Sequence, residues 1–543
     1  MSNQPRGADI VMRTLDQQGV GPVFTLSGNH IMSLFDAALE TGLDLVHVRH
    51  EAAAVHMADA WGRLTGRPGI AMVTGGPGHA NAAGALFTAQ GGESPMVLLS
   101  GHAATHELGR GGFQELRQAD MAAPAAKASW TATSTETLGQ EVTRALALAT
   151  EGRPGPVHLS LPSDLLDATT AAGLGAAFPS TPIALPEAAA SAIVALLRAA
   201  RRPLLIAGPA LATRAGRALL AQIEAALDLP TAIMESPRGL ADATLGAFAD
   251  VAARADLVIL LGKALDFTLK FGAAPAFDSE CRWIAIEPDA EILARAARER
   301  GAGLVFATIA DTVAAGAALI AAAGAPPEEP GAWHRAARAA MEHRPAAWNT
   351  IGAHTPGRLH PAQLFRHLAP VVAADSETVL ICDGGEFAQW GQSLLEAPRR
   401  LINGVGGSIG ASIPFALAAR MAAPQAPVFA ILGDGTFGFH MAEFETAVRR
   451  SLPFVAIVGN DARWNAEYNL QLRDYGAARA YGCDLAPTRY DQVVAALGGY
   501  GELVEDEAEI EGAVARAIAS GLPACLNVMI ESTPAPNLRQ TLG

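Results

Sequence analysis

Short apolar runs rich in β-branched residues recur along the chain, each separated from the next by a longer stretch of helical periodicity. The runs are Gly69–Val73, Met96–Ser100, Val157–Leu161, Leu204–Ala207, Leu257–Leu261, Trp283–Ile286, Val379–Cys382, Val428–Leu432 and Phe454–Val458. A strand that is apolar at every position, not at alternate ones, is covered on both faces. That pattern belongs to parallel sheets sandwiched between helices, so the chain reads as α/β. The Ala/Gly-rich windows between the runs, such as 194–201, also carry Leu, Ile and Val. They read as helices packed through small residues and not as disordered tracts.

Two segments interrupt the alternation. Residues 171–186 hold Gly173, Gly175, Pro179, Pro182 and Pro186, and residues 323–357 hold Pro326, Pro327, Pro330, Pro345 and Pro356. Both read as inter-domain linkers. They divide the chain into domains at about 1–170, 187–322 and 358–543, consistent with a length of 543 residues,.

The charge balance excludes one class of function. With 39 Lys and Arg against 54 Asp and Glu the net charge is −15, and no basic block stands out. Nucleic acid is therefore not an expected partner. Cys281, Cys382, Cys483 and Cys525 show no CxxC spacing, so neither a disulfide framework nor a structural zinc is expected,. The first twenty residues carry charges and amides where a secretory leader needs an apolar run, and no stretch is long and apolar enough to span a membrane,. A cytoplasmic protein without a membrane partner is the expectation.

The strongest chemical signal is PVFAILGDGTFGFHMAEFETAVRRSLPFVAIVGNDARWNAE. One apolar run ends at Leu432 and is followed by Gly433-Asp434-Gly435-Thr436, read as a tight turn with a helix beginning near His440. A second run ends at Val458 and is followed by Gly459-Asn460-Asp461. Ligands of open α/β sheets bind beyond the carboxyl ends of strands, where glycine lets the backbone approach a phosphate. A GDG turn alone is common. Paired with a second aspartate 27 residues on, it supplies two hard oxygen ligands suited to Mg²⁺ and a diphosphate,.

This segment resembles the cofactor motif of the thiamine-diphosphate (ThDP) enzymes of the acetolactate synthase, pyruvate decarboxylase and 2-hydroxyacyl-CoA lyase superfamily, which runs GDG, a spacer, then NN. The resemblance implies three flavodoxin-like domains that bind the pyrimidine, lie centrally and bind the diphosphate. It also implies Asp434, Asp461 and the carbonyl of Arg463 as metal ligands, with Gly433, Gly435, Thr436 and Trp464 beside the cofactor. Asp461 departs from the usual Asn, which keeps an oxygen ligand and adds a negative charge.

ThDP needs a carboxylic group at the far nitrogen of its aminopyrimidine. The segment HVRHEAAAVHMADAWGRLTGRPGIAMVTGGPGHANAAGALFTA resembles the family's RHE segment with its following helix and GPG turn, and this implies Glu51 in that role,. In NGVGGSIGASIPFALAA the resemblance implies Ile409 as the residue that props the cofactor into its bent form and the carbonyl of Gly407 as an acceptor for the pyrimidine amine. In CDGGEFAQW it places Glu386 and Phe387 near the diphosphate.

The substrate side is less specific. LSGNHIMSLFDA resembles the family's substrate-facing loop, which puts Asn29 and His30 at the pocket. In GHAATHELGRGGFQELRQAD, Phe113-Gln114-Glu115 resembles acetolactate synthases, with Lys127 near the matching lysine. THELGRG in the same stretch resembles the histidine loop of pyruvate decarboxylases and brings in His106. Glu467, six residues after Asp461, stands where pyruvate decarboxylases keep a substrate-side glutamate.

The middle of the chain resembles 2-hydroxyacyl-CoA lyases and oxalyl-CoA decarboxylases, whose central domain carries FAD or ADP. Arg153 matches an arginine that contacts that nucleotide. Little sequence follows Val528 to form the tail that covers CoA in those lyases. The first expectation is an acetolactate-synthase-like lyase or ligase acting on a 2-oxo acid, and the alternative is a 2-hydroxyacyl-CoA lyase or oxalyl-CoA decarboxylase. A catalytically silent subunit of the same fold is opposed by retention of Glu51, Asp434 and Ile409. The resemblance further implies a homodimer or homotetramer in which ThDP bridges two chains.

Overall fold

The computed structural model describes residues 4–178 and 181–538. Pro179 of the first linker and residues 1–3 of the amino-terminal stretch lie outside the described residues. The chain builds three all-parallel sheets. The first contains β1 (Val23–Thr25), β2 (Leu45–His47), β3 (Gly69–Val73), β4 (Met96–His102), β5 (Ala128–Thr131) and β6 (Pro156–Pro162) in the order β2-β1-β3-β4-β6-β5. The second contains β7 (Pro203–Ala207), β8 (Thr231–Ile233), β9 (Leu257–Leu261), β10 (Arg282–Ile286) and β11 (Leu304–Thr308) in the order β11-β10-β9-β7-β8. The third contains β12 (Val379–Asp383), β13 (Arg399–Ile402), β14 (Val428–Gly433), β15 (Val455–Asn460), β16 (Tyr500–Val504) and β17 (Ala524–Met529) in the order β13-β12-β14-β15-β17-β16.

Each sheet follows the doubly wound, flavodoxin-like scheme, in which the first two strands run outward one way and the later strands the other. A crevice opens at the reversal: between β1 and β3, between β7 and β9, and between β12 and β14,. The central sheet shows why its strands are uninterruptedly apolar. Leu205, Ile259 and Ile284 enter one core, while Leu204, Ile206, Val258 and Leu260 enter another on the opposite face,.

The chain divides into two compact units. Unit 1 comprises residues 1–181 with 413–425 and 440–453; unit 2 comprises 182–412, 426–439 and 454–543. Within unit 1 the two late segments are firmly attached. Glu443 accepts the Arg49 backbone N–H at 2.9 Å, Arg449 donates to the His47 carbonyl at 2.7 Å, and the Arg63 guanidinium lies 4.8 Å from the Phe415 ring centroid.

The segment 323–357 is more than a linker. It contains the helix Ala332–Glu342, whose Ala337, Ala340 and Met341 enter the central core, while His334 bonds Glu224 at 2.8 Å and Asp228 at 2.7 Å. Its prolines flank the helix and do not enter it. The four cysteines are buried and unpaired, and no helix among the described residues is long and apolar enough to cross a membrane.

Candidate active site

In unit 2, β14 and β15 pair in register with Gly433 opposite Gly459, so Asp434 and Asp461 leave neighbouring strands side by side. β12 lies on the other flank of β14, which places both aspartates at the reversal of the sheet. The helix here starts at Asp434 and runs to His440, earlier than the start expected near His440; a second helix spans Glu443–Arg449. Two glycines hide the helical periodicity of DGTFGFH, while an aspartate in the first turn suits the positive end of the helix dipole.

Asp434 is 2% exposed, and its Oδ2 has no hydrogen-bond partner. Burial, reinforced by the charge of Asp461, pushes its carboxyl up to about 7. Burial likewise pushes Asp461 up to about 6, against the hydrogen bond that Ser532 Oγ donates at 2.9 Å. A buried and a half-buried carboxylate that resist ionisation form a site that a cation would relieve. Among the described residues no cluster of three His, Cys, Asp or Glu side chains is arranged to hold a metal. A cation here would therefore combine the two aspartates with backbone and ligand oxygens, the mixed oxygen set that Mg²⁺ accepts.

The loop that carries Asp461 is held from behind. Asn460 is fully buried and donates to the Thr488 carbonyl at 2.9 Å and to Asn527 Oδ1 at 3.0 Å. Ala462 adopts φ +56°, a left-handed kink unusual for a residue with a Cβ, which turns the chain between Asp461 and Arg463,. The Arg463 side chain points to Asp484 at 2.7 Å and stacks on Tyr468, leaving its backbone to face the site.

Phe387, Ile409, Trp464 and Glu467 share one cavity with Gly433, Asp434, Gly435, Thr436, Asp461 and Arg463. The backbone approaches closely here. A Cβ at Gly435 would lie 2.6 Å from the Trp464 ring, and Gly384, at φ +83°, has the Thr436 hydroxyl against it. Glu386 takes a hydrogen bond from Arg238 at 3.2 Å and another from the Ala535 backbone N–H. Gly407 is exposed at φ +70° on the loop that carries Ile409.

Asp383 is a residue that sequence reasoning passed over. It ends β12, is 1% exposed, and accepts the backbone N–H groups of Gly410 at 3.0 Å and Ser412 at 2.8 Å. It thereby pins the glycine loop, and burial pushes its carboxyl up to about 6. Its place beside the GG of CDGG was the available signal. Ser532, the partner of Asp461, had none.

In unit 1, Glu51 opens the helix Glu51–Thr65 behind His50, whose ring accepts the Ala52 backbone N–H at 3.1 Å. Glu51 is 8% exposed and accepts a hydrogen bond from Asn81 Nδ2 at 3.0 Å, a partner the sequence did not single out. At the β1/β3 reversal, His30 is 6% exposed, its backbone N–H donates to Thr74 Oγ1 at 3.3 Å, and its ring stacks on Phe113 at 5.9 Å. Burial holds its pKa below the usual histidine range.

Asn29 is exposed beside His30. Gln114 takes φ +56° and lies against Gly76 of the GPG turn. His106 stands apart: it is 71% exposed with Asp164 at 3.9 Å, so its ring faces solvent. Arg153 forms an ion pair with buried Glu93. Lys127 donates to the Leu148 carbonyl at 2.6 Å.

Comparison with known proteins meets these same segments. Residues 5–121 match the N-terminal TPP binding domain of thiamine pyrophosphate enzymes, and residues 383–528 match the C-terminal TPP binding domain. The chain is 32% identical to the acetolactate synthase large subunit IlvG of Mycobacterium tuberculosis, across 98% of this chain and 97% of that protein. It is 30% identical to 2-hydroxyacyl-CoA lyase 2 of Danio rerio, across 97% of this chain and 92% of that protein, and 28% identical to the human protein of that name, across 93% and 86%. With relatives aligned over almost its whole length, and both cofactor-domain matches covering the strand ends described above, the chain belongs to the family of thiamine-diphosphate-dependent enzymes that includes acetolactate synthases and 2-hydroxyacyl-CoA lyases, and is itself such an enzyme.

Proposed function

We propose that this enzyme uses ThDP with Mg²⁺ to make or break the carbon–carbon bond beside the carbonyl of a 2-oxo acid, in the manner of an acetolactate synthase. The observation that carries this reading is the unpartnered, buried Oδ2 of Asp434 beside Asp461 at the strand ends of the third sheet. Asp434, Asp461 and the carbonyl of Arg463 hold the Mg²⁺. The backbone of Gly433, Gly435 and Thr436 receives the diphosphate, with Glu386, Phe387 and Trp464 around it.

When bound, ThDP supplies a carbon nucleophile that attacks a carbonyl and takes up the electron pair of the bond that breaks. The protein's share is positioning and proton placement. Ile409, which lines the cavity, would bear on the bound cofactor, and the Gly407 carbonyl would be the acceptor for its amine. Glu51 holds a proton at the far pyrimidine nitrogen, with Asn81 fixing the carboxyl. His30, with its depressed pKa, enters as a neutral ring able to accept or relay a proton,. Asn29, Gln114 and Glu467 offer polar contacts to the substrate, and the exposed His106 would meet it from the solvent side. Arg153 is the residue that would contact a bound FAD or ADP.

We also propose a cytoplasmic homo-oligomer, at least a dimer, in which one chain's Glu51 and another's Asp434 serve the same cofactor, as the family resemblance implies. The second reading, a 2-hydroxyacyl-CoA lyase, is favoured by the near-full-length alignment with the Danio rerio protein of that name. A turnover screen with ThDP and Mg²⁺ separates the two. Release of CO₂ from a 2-oxo acid supports the first, and aldehyde released from a 2-hydroxyacyl-CoA without CO₂ supports the second. Turnover of neither class would reject both.

A further inference from the structure

In unit 1 the GPG turn, Gly76-Pro77-Gly78, lies among three of the residues assigned to the site: Glu51, His30 and Gln114. Gly76 precedes the helix Pro77–Gly91, and that helix supplies Asn81 to the Glu51 carboxylate at 3.0 Å. A Cβ at Gly78 would lie 3.4 Å from Glu51 Oε1 and 2.7 Å from Thr74 Cγ2, and Thr74 Oγ1 accepts the His30 backbone N–H at 3.3 Å. A Cβ at Gly76 would lie 2.4 Å from the Gln114 carbonyl. The seating of this one turn therefore places all three residues.

A glycine at the helix N-cap brings no side chain to hold the turn,. Gln118 holds it from outside. It is 1% exposed, and its Oε1 accepts the Gly76 backbone N–H at 2.8 Å. Its Nε2 donates to the Gly101 carbonyl at 3.0 Å and to Ser160 Oγ at 2.9 Å. Gly101 belongs to the end of β4, where a Cβ on it would lie 2.6 Å from the His30 Cβ. One amide thus ties the turn after β3 to the strand end that backs His30.

The orientation of that amide is determined. A backbone N–H can only donate and a carbonyl can only accept, so Gly76 and Gly101 fix which way it faces. The rest of the network follows from this. Ser160 Oγ accepts from Gln118 and gives its own proton to His158 Nε2 at 3.3 Å. His158 Nδ1–H then donates to Ser129 Oγ at 2.9 Å, and Ser129 donates to the Ala119 carbonyl at 2.7 Å. The chain closes on the residue next to Gln118. His158 and Ser160 are fully buried. A buried network whose members are all bonded holds a single geometry.

We propose that Gln118 is a positioning residue for the reaction. Buried as it is, it acts through the GPG turn, which it seats against the end of β4 so that Glu51, His30 and Gln114 keep their mutual geometry. The inference rests on the proposed role of Glu51 at the pyrimidine nitrogen. Without the bond to Gly76, the turn and the start of the helix that carries Asn81 are free to shift. A displacement of about 1 Å at a reacting group costs up to about 100-fold in rate.

The test compares full-length Gln118→Met, Gln118→Asn and Ser160→Ala with the wild type, each with Mg²⁺ and saturating ThDP. Methionine fills the space without the amide, and asparagine keeps the amide one methylene short of Gly76. Ser160→Ala breaks the network beyond Gln118 and leaves its bonds to Gly76 and Gly101. Melting midpoint, calorimetric ThDP affinity and exchange of the cofactor's C2 proton are read for each. All three variants lose buried hydrogen bonds and melt lower, and all three retain ThDP binding. Exchange is expected to slow about tenfold or more in both Gln118 variants and to stay within about twofold of the wild type in Ser160→Ala. Exchange that slows equally in Ser160→Ala reduces the network to a stabilising role and overturns the proposal. So does unchanged exchange in a folded Gln118 variant when Glu51→Gln slows it. Unchanged exchange in Glu51→Gln as well overturns the reading of Glu51 and the proposal with it. The wild type offers a check that needs no folded variant: its Gly76 N–H is expected to be protected from hydrogen exchange as the N–H groups of β3 are, and rapid exchange there overturns the clamp.

Discussion

Replacing Asp434 with asparagine is expected to stabilise the ligand-free protein at neutral and alkaline pH while destroying its response to Mg²⁺ and ThDP. The Asp434 carboxyl keeps its proton to about pH 7 in the folded chain and loses it near its ordinary value of 3.8 in the unfolded one. Between those values the native state binds more protons than the unfolded state, so stability falls as pH rises. The contribution is complete below about pH 4 and gone above about pH 7. Each pH unit across this window removes about 1.4 kcal/mol, an upper bound of about 4 kcal/mol that water reaching the cavity reduces to roughly 2. The neutral amide carries no such burden. Melting midpoints of the two ligand-free proteins should therefore converge near pH 4 and separate in favour of Asp434→Asn by pH 8. Adding Mg²⁺ and ThDP at pH 8 should then reverse the order, because the variant lacks the buried Asp434 carboxylate and keeps only that of the more accessible Asp461 to anchor the cation. Parallel midpoint curves across the whole pH range would refute the assignment of a strained, cation-seeking carboxylate.

Asp461→Asn is expected to retain Mg²⁺-dependent ThDP binding in calorimetry, since the buried Asp434 keeps its charge and the amide oxygen still reaches the ion; loss of binding would show that the added charge is essential here. Gly435→Ala should abolish ThDP binding without unfolding unit 2, because the new methyl meets the Trp464 ring at 2.6 Å and displaces it into the cavity; unchanged affinity would show that the ring is free to move. Glu51→Gln should bind ThDP yet lose activity by about 100-fold or more, with slowed exchange of the cofactor's C2 proton, and an unchanged exchange rate would remove Glu51 from its role. Co-expression of Glu51→Gln with Asp434→Ala should restore at most about half of the activity per mixed dimer, by two-fold symmetry; soluble mixed oligomers with no activity would reject the shared site.

Legibility in the sequence followed burial. The nine strands marked by continuous apolar runs all appear, with ends shifted by a residue or two. Those that escaped are mainly edge strands. β5, β11, β13 and β16 have one flank open, so their side chains are half-buried or alternate, and in β5, β13 and β16 the text lacks a continuous apolar run,. β17 is interior but carries Asn527, whose amide is spent on Thr488 and Asp491 inside the sheet. The same distinction holds at the site. Asp434, Asp461 and Glu51 stand in local motifs beside glycine or at a helix start. Asn81, Ser532 and Arg238 reach their carboxylates from 30, 71 and 148 residues away, and nothing local marks such partnerships. His106 shows the reverse: a motif fragment was visible, but the side chain faces solvent.

The interleaving of unit 1 has a consequence for biosynthesis. Its first 181 residues are completed by the segments 413–425 and 440–453, so the ribosome must add about 270 more residues before the last piece arrives. At bacterial and eukaryotic elongation rates of roughly 5–20 residues per second, that wait lasts between about 15 and 55 seconds. For most of it the nascent first domain lacks Phe415, which covers Arg63 and His56, and to its end it lacks Glu443 and Arg449, which bond Arg49 and His47. A fragment ending near residue 181 would be left in that same unfinished state, and the surfaces awaiting their late partners make it a natural client for chaperones.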